Sequence, residues 1–278
     1  MLAKLKSRGY QILFESHAVA ILQHDFPIVL EDLETVLNDF EIPITEIIGS
    51  GGGESKGTQR LRRALYAKGW HKANFEIRKA IRYSEAGTKS DPLQIEREST
   101  THEIDHVKSF AGEFEGNKLV ALEIEWNNKD PFFDRDLENF KRLHSEGAIS
   151  LGIIVTRGSG LHEKMRDFVG RYATEQNIRS KEDLDRLQIG ITPKQLRAIT
   201  NKSTRANNPI DFQSAWVNKF VGDKYGEATT HWTKLMSRIM RGVGNPCPLL
   251  LIGLPESIVR FDVDPVVDPM EEEDDLGA

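Results

Sequence analysis

The most constraining feature of the chain is a strand–helix–strand pattern over residues 119–156. LVALEIEW (119–126) is the clearest strand, with two glutamates two positions apart. ISLGIIVT (149–156) is a continuous apolar run, the pattern of a strand buried on both faces. Between them Phe133, Leu137, Phe140 and Leu143 recur at helical spacing. A helix joining two such strands must cross over one face of their sheet, so the chain reads as α/β. PLLLIGL (248–254) adds another buried strand.

The remaining pattern surrounds that core with helices. Residues 3–24 and 28–40 carry apolar residues three and four apart and read as two helices, punctuated by Pro27 and Pro43. GSGGGESKGTQ (49–59) reads as a mobile loop that closes on a ligand, followed by a helix over 58–68 that Gly69 can cap. Residues 75–83, 93–98 and 102–108 are strand candidates. Helices are expected at 161–176, 181–188, 193–200, 211–221 and 227–241. No linker interrupts the pattern, which predicts one domain over 1–261.

The net charge of −6 comes from the end of the chain: 262–278 holds eight of the 43 acids and no Lys or Arg. Residues 1–261 therefore carry 35 acids against 37 bases, a net +2, so an anionic partner is not excluded. The acidic stretch is expected to be a disordered tail. A single cysteine, Cys247, excludes an internal disulfide and any CxxC metal site. No apolar run approaches the ~20 residues of a membrane span. The basic, amphipathic N-terminus does not read as a signal peptide, and a cytoplasmic location is expected.

Two chemistries compete for HEIDH (102–106). As His-Glu-x-x-His on a helix, His102 and His106 would bind zinc and Glu103 would act as base in a metallopeptidase. The surrounding sequence leaves room for only two helical turns. The other reading joins Asp105 to Glu123 and Glu125. In a strand, residues i and i+2 share a face, so the two glutamates project together. Three converging carboxylates repel one another unless a cation lies among them. An all-oxygen set suits Mg²⁺, with Mn²⁺ as substitute, and such a site activates water against a phosphodiester.

Asp, seventeen residues, then Glu-x-Glu on a strand resembles the PD-(D/E)xK nuclease superfamily. ALEIEWNNKDPFFDRDLENFKRLHSEGAISLGIIVTRG (121–158) and GTQRLRRALYAKGWHKANF (57–75) resemble type II restriction endonucleases of the BglII/BstYI, BamHI-like kind. The resemblance implies a restriction-endonuclease-like fold, a central mixed sheet flanked by helices. It makes Asp105 and Glu123 metal-binding acids and the Ile124 carbonyl a further ligand. Glu125 would stand for the usual lysine and orient or deprotonate the attacking water. Ile104 replaces the usual proline before Asp105. Asn74, or Glu54, would be the upstream helper residue.

The resemblance also implies double-stranded DNA as substrate. It implies a homodimer matching a palindromic site, and a cognate methyltransferase acting on the same site. Residues 56–82 hold nine Lys or Arg against one acid, a stretch able to neutralise phosphates. Arg60, Arg63 and Lys72 are its candidate contacts. Asn127, Asn128 and Lys129 follow the catalytic strand, where Asn can pair with adenine. Arg157, Ser159 and His231 complete the candidates. Gly52 and Gly57 have phosphate-loop spacing, but Thr58 and Gln59 follow where Lys and Ser/Thr are required. The competing functions are the zinc peptidase, a repair nuclease with little sequence preference, and a DNA-binding scaffold without catalysis.

Overall fold

A computed structural model describes residues 1–49, 53–84, 86–87, 93–100, 103–110 and 118–261 of the 278. Its helices are α1 (Ala3–Ser7), α2 (Ala18–His24), α3 (Pro27–Asn38), α4 (Ile44–Gly49), α5 (Lys56–Tyr66), α6 (Phe132–Ser145), α7 (Ser159–Glu175), α8 (Lys181–Arg186), α9 (Pro193–Thr204), α10 (Phe212–Lys224) and α11 (Trp232–Ile239). Its strands are β1 (Gln11–Glu15), β2 (Ile42–Pro43), β3 (His71–Ala73), β4 (Glu76–Tyr83), β5 (Leu93–Thr100), β6 (Ile104–Phe110), β7 (Lys118–Glu125), β8 (Leu151–Arg157), β9 (Leu249–Leu254) and β10 (Val259–Arg260).

Six strands form the central sheet in the order β1-β9-β8-β7-β6-β3. The inner trio β7, β8 and β9 is parallel, and β1, β6 and β3 join antiparallel, so the sheet is mixed as expected. Alternation along the inner strands feeds two cores. Val120, Leu122 and Ile124 of β7, with Ile153 and Val155 of β8, belong to the larger core; Ala121 and Ile154 face the smaller one under α6 and α11. The apolar stripe of α6 seals that second face with Phe133, Leu137, Phe140 and Leu143 all fully buried. Phe140 lies so close to β8 that a Cβ at Gly152 would collide with its ring, which explains a glycine inside a buried strand.

Two expectations change. Residues 3–24 are not one helix: β1 interrupts them as the edge partner of β9, Gln11 opposite Gly253 and Glu15 opposite Leu249. Left-handed backbone at Gly9, Ser16 and His17 ends the helical path on either side. Ile12 and Phe14 pack on one core and Leu13 on the other, so a short two-faced strand imitates helical spacing. The glycine loop is also shorter than expected. The Ser55 hydroxyl accepts from the Thr58 amide and starts α5 at Lys56, while residues 50–52 lie outside the described residues. The tail 262–278 lies outside them too. Among the described residues, no helix is long and apolar enough to cross a membrane.

Candidate active site

The site lies where β6 and β7 end against α5 and α6. From His71 to Ala73, β3 advances two residues while its partners on β6 run from Val107 to Ile104, three. The extra residue is a bulge, a device that turns a side chain out of its ladder. Asp105 sits in it. Ile104 and Val107 stay in the smaller core, whereas the Asp105 side chain is 44% exposed. The Tyr66 hydroxyl donates to the Asp105 carbonyl at 3.4 Å, and Lys72 Nζ lies 4.0 Å from its carboxylate. Asp105 faces a cavity of about 300 Å³ walled also by Glu54, Arg62, Lys72, Asn127 and Asn128. Ile124 reaches the same wall.

Glu123 and Glu125 share the α6 face of β7, and each is only 2% exposed. Glu123 Oε1 has no hydrogen-bond partner among the described residues. Glu125 Oε2 accepts from Asn128 Nδ2 at 2.9 Å, and Arg135 lies 3.6 Å from Oε1. Burial pushes both carboxyl pKa values well up, and the nearby Asp136 charge adds to it; Asp105 is a further like charge acting on Glu123. The three expected acids thus interact. Asp105 stands at the solvent side and the two glutamates behind it.

Sequence reasoning missed Asp136. It is fully buried on α6, hydrogen-bonds Glu125, and holds Arg135 at 2.8 Å. Its signal was present: Asp136 is three residues after Phe133 and four before Phe140, on the inward stripe of the helix.

The zinc reading of HEIDH fails on secondary structure. Residues 104–110 form β6, so the helix that the signature requires does not exist. His106 is buried, its Nδ1 donates to the Leu122 carbonyl at 3.3 Å, and burial lowers its pKa to about 4. His102 lies outside the described residues.

The expected DNA contacts divide by placement. Asn74, Asn128, Lys129 and Lys72 are exposed and Asn127 is half-buried. Lys72 also pairs with Glu103 at 2.7 Å. Arg60 is engaged inside the fold, with Glu46 and with the Glu41 carbonyl at 3.0 Å. Arg63 is half-buried on α5. The Ser159 amide and hydroxyl both donate to Gln11 Oε1, which ties α7 to β1.

Arg157 and His231 are interior rather than DNA-facing. Arg157 is wholly buried, and its Nε donates to the Trp126 carbonyl at 2.7 Å. Its Nη2 donates to Thr229 Oγ1 at 2.6 Å and to the Thr230 carbonyl at 2.8 Å. The Thr230 amide donates to the Asn128 carbonyl at 2.8 Å, so Arg157 braces the loop carrying Asn127, Asn128 and Lys129. His231 stacks on His162 at 3.8 Å and is 1% exposed. His162, Glu227 and His231 bring potential metal-binding atoms within 4.8 Å of one another. The Arg157 guanidinium donates to His162 Nδ1 at 3.3 Å, however, which leaves the proton on Nε2, facing Glu227 at 3.3 Å. His162 is thus hydrogen-bonded through both ring nitrogens, whereas neither nitrogen of the buried His231 has a hydrogen-bond partner among the described residues.

The model of the restriction endonuclease BglII/BglIII family matches residues 10–254, nearly the whole chain. The protein belongs to the BglII/BglIII restriction endonuclease family. It is accordingly a type II restriction endonuclease, a site-specific deoxyribonuclease acting on double-stranded DNA. Enzymes of this kind typically use divalent metal ions. Among curated proteins none matches the chain. The match covers every strand of the central sheet, including β1, which begins at Gln11, and β9, which ends at Leu254.

Proposed function

We propose that this BglII-family enzyme, of the BstYI and BamHI-like branch, cuts a palindromic DNA site as a homodimer with Mg²⁺, Mn²⁺ being able to substitute. Each protomer would cut one strand, two-fold symmetry matching the palindrome. The observation carrying the catalytic reading is the interacting set Asp105, Glu123 and Glu125, with Glu123 Oε1 buried and unpartnered among the described residues. A buried carboxylate oxygen without a donor suits a cation, and the all-oxygen set fits a hard one.

Asp105, Glu123 and the Ile124 carbonyl would hold the ion. When bound, it neutralises phosphate charge and makes a water acidic. Glu125 would orient that water and take its proton, with Asn128 fixing one of the Glu125 oxygens. The water oxygen forms a bond to phosphorus as the bond to the 3′-oxygen breaks in line. The 3′-oxygen takes a proton from solvent, and the ends are 5′-phosphate and 3′-hydroxyl. Lys72, next to Asp105, would meet a phosphate entering the cavity. Asn127, Asn128 and Lys129, on the braced loop, would make the base contacts. A cytoplasmic location and a partner methyltransferase complete the reading.

The test is digestion of unmethylated phage DNA with Mg²⁺, Mn²⁺ or EDTA. Discrete bands in both metal lanes and none in EDTA are expected. A continuous smear would replace site-specific cleavage with a less selective nuclease. Sedimentation of the purified protein, with and without a cut-site duplex, checks the dimer.

A further inference from the structure

Asp136 has no part in the reaction as drawn so far. We propose that Asp136 is a fourth carboxylate of the divalent-cation site, and that Arg135 is the counter-cation which the ion displaces from Glu125. The inference rests on the proposed role of Glu123 as a metal ligand.

Glu123, Glu125 and Asp136 are three buried carboxylates on facing surfaces of β7 and α6. Asp136 hydrogen-bonds Glu125 and is the largest charge acting on both glutamates. Arg135 brings one positive charge, 2.8 Å from Asp136 and 3.6 Å from Glu125. Two carboxyls hydrogen-bond only when one of them carries a proton, so the metal-free cluster is held together by a shared proton and by Arg135, and a divalent ion is the cation able to displace both. A like-charge cluster of this kind is costly as a purely structural device. Glu123 Oε1, unpartnered in the same cluster, is the vacant acceptor of the set.

Arg135 is suited to leave. Its side chain is 41% exposed, unlike the acids beneath it, and its guanidinium rests 4.3 Å over the Phe132 ring. A rotation of the long side chain frees Glu125 without moving α6. Its outward position also sets it to meet a DNA phosphate once an ion holds the acids.

A purely structural Asp136 would do one thing, anchor Arg135. The two roles separate in Mn²⁺ binding to the full chain without DNA, followed by calorimetry and by electron paramagnetic resonance, with thermal melting of each metal-free protein. Glu123→Gln should abolish Mn²⁺ binding. Asp136→Asn should weaken it by about 10- to 100-fold, the range for losing a group that supports a metal site. Arg135→Gln should tighten Mn²⁺ binding by up to about fivefold, the worth of a partly exposed ion pair. Wild-type Mn²⁺ affinity in Asp136→Asn, or a lower melting temperature with unchanged affinity, overturns the role of Asp136. Affinity in Arg135→Gln no tighter than wild type overturns the role of Arg135. Undiminished binding in Glu123→Gln would instead overturn the reading of the site itself.

Discussion

Two buried polar clusters flank the end of β7, and they are built on opposite rules. Around Arg157 the donors are used: the Trp126 and Thr230 carbonyls, Thr229 Oγ1 and His162 Nδ1 all receive them. The guanidinium also lies 5.2 Å from the Tyr225 ring centre. Around Glu123 the opposite holds. Three carboxylates crowd together, one oxygen lacks a partner among the described residues, and one half-exposed arginine answers them. The Arg157 guanidinium, its donors taken up by neighbouring acceptors, specifies structure, even though both nitrogens of the adjacent His231 ring lack a partner among the described residues. A cluster of like charges left short of partners is costly to the fold, and stability alone would favour neutral side chains there.

The largest effect that separates the clusters is catalytic. Glu123→Gln keeps the shape of the side chain and removes its charge. Cleavage should fall by about 10³-fold or more, the scale of losing a metal's several kcal/mol of transition-state stabilisation. The same variant should melt above wild type without metal. A melting temperature that falls would mean that the Glu123 charge is part of the fold.

The Arg157 cluster should respond the other way. Arg157→Met fills similar space but strands the Trp126 and Thr230 carbonyls. Each buried acceptor left without a donor costs about 1–3 kcal/mol, so a loss near 3 kcal/mol or more is expected in urea unfolding. Mn²⁺ affinity should change little, since Arg157 touches none of the acids. A variant as stable as wild type would show the bracing of the 228–230 segment to be unimportant.

The two clusters were unequally legible in the sequence. Glu123 and Glu125 declare themselves because a strand has an unambiguous period and both positions are polar in an apolar run. Asp105 could be joined to them as an acid at the end of a neighbouring strand, but its exposure depends on a bulge that no residue type near it signals. Asp136 was hidden by its neighbours: in DRDLENF a helix surface and a buried acid look alike until α6 is docked. Arg157 is the last of the seven residues of β8 and reads as a surface charge; only the 228–230 segment, some seventy residues later, closes over it. The parallel trio β7, β8 and β9 was readable from hydrophobicity alone. β1 was not, because five residues half-buried on both faces carry too little periodicity to distinguish strand from helix.

Acid titration sharpens the comparison through its sign. His231, beside Arg157, has its pKa lowered from 6.5 to about 4, first by burial and then by His162. The folded state holds its proton less tightly than the unfolded chain, so His231 makes stability fall as pH drops from about 6.5 toward 4. His106, also near 4, adds the same slope. The raised carboxyls of Glu123 and Glu125 act oppositely: they make the metal-free fold less stable as pH rises above their unfolded value of 4.5. Replacing His231 with Asn should flatten the acid limb of the stability curve, and Glu123→Gln should steepen it. Equal curves for all three proteins would remove the electrostatic distinction between the clusters.

The smallest effect is expected where the two clusters meet. Asn128 donates its side chain to Glu125 and its carbonyl accepts from Thr230, so it links the acids to the segment braced by Arg157. Asn128→Ala removes the first bond and keeps the second. A single hydrogen bond to an ionised group is worth about 1.5–3 kcal/mol, partly recovered when water replaces the exposed amide. Cleavage should therefore drop by about tenfold with little change in melting temperature. Asn128→Asp distinguishes positioning from base reading: it places a fourth acid against Glu125 and should cost more than alanine on every DNA site. If alanine instead relaxes the choice of sequence while leaving the rate at the original site intact, Asn128 serves the DNA and not Glu125.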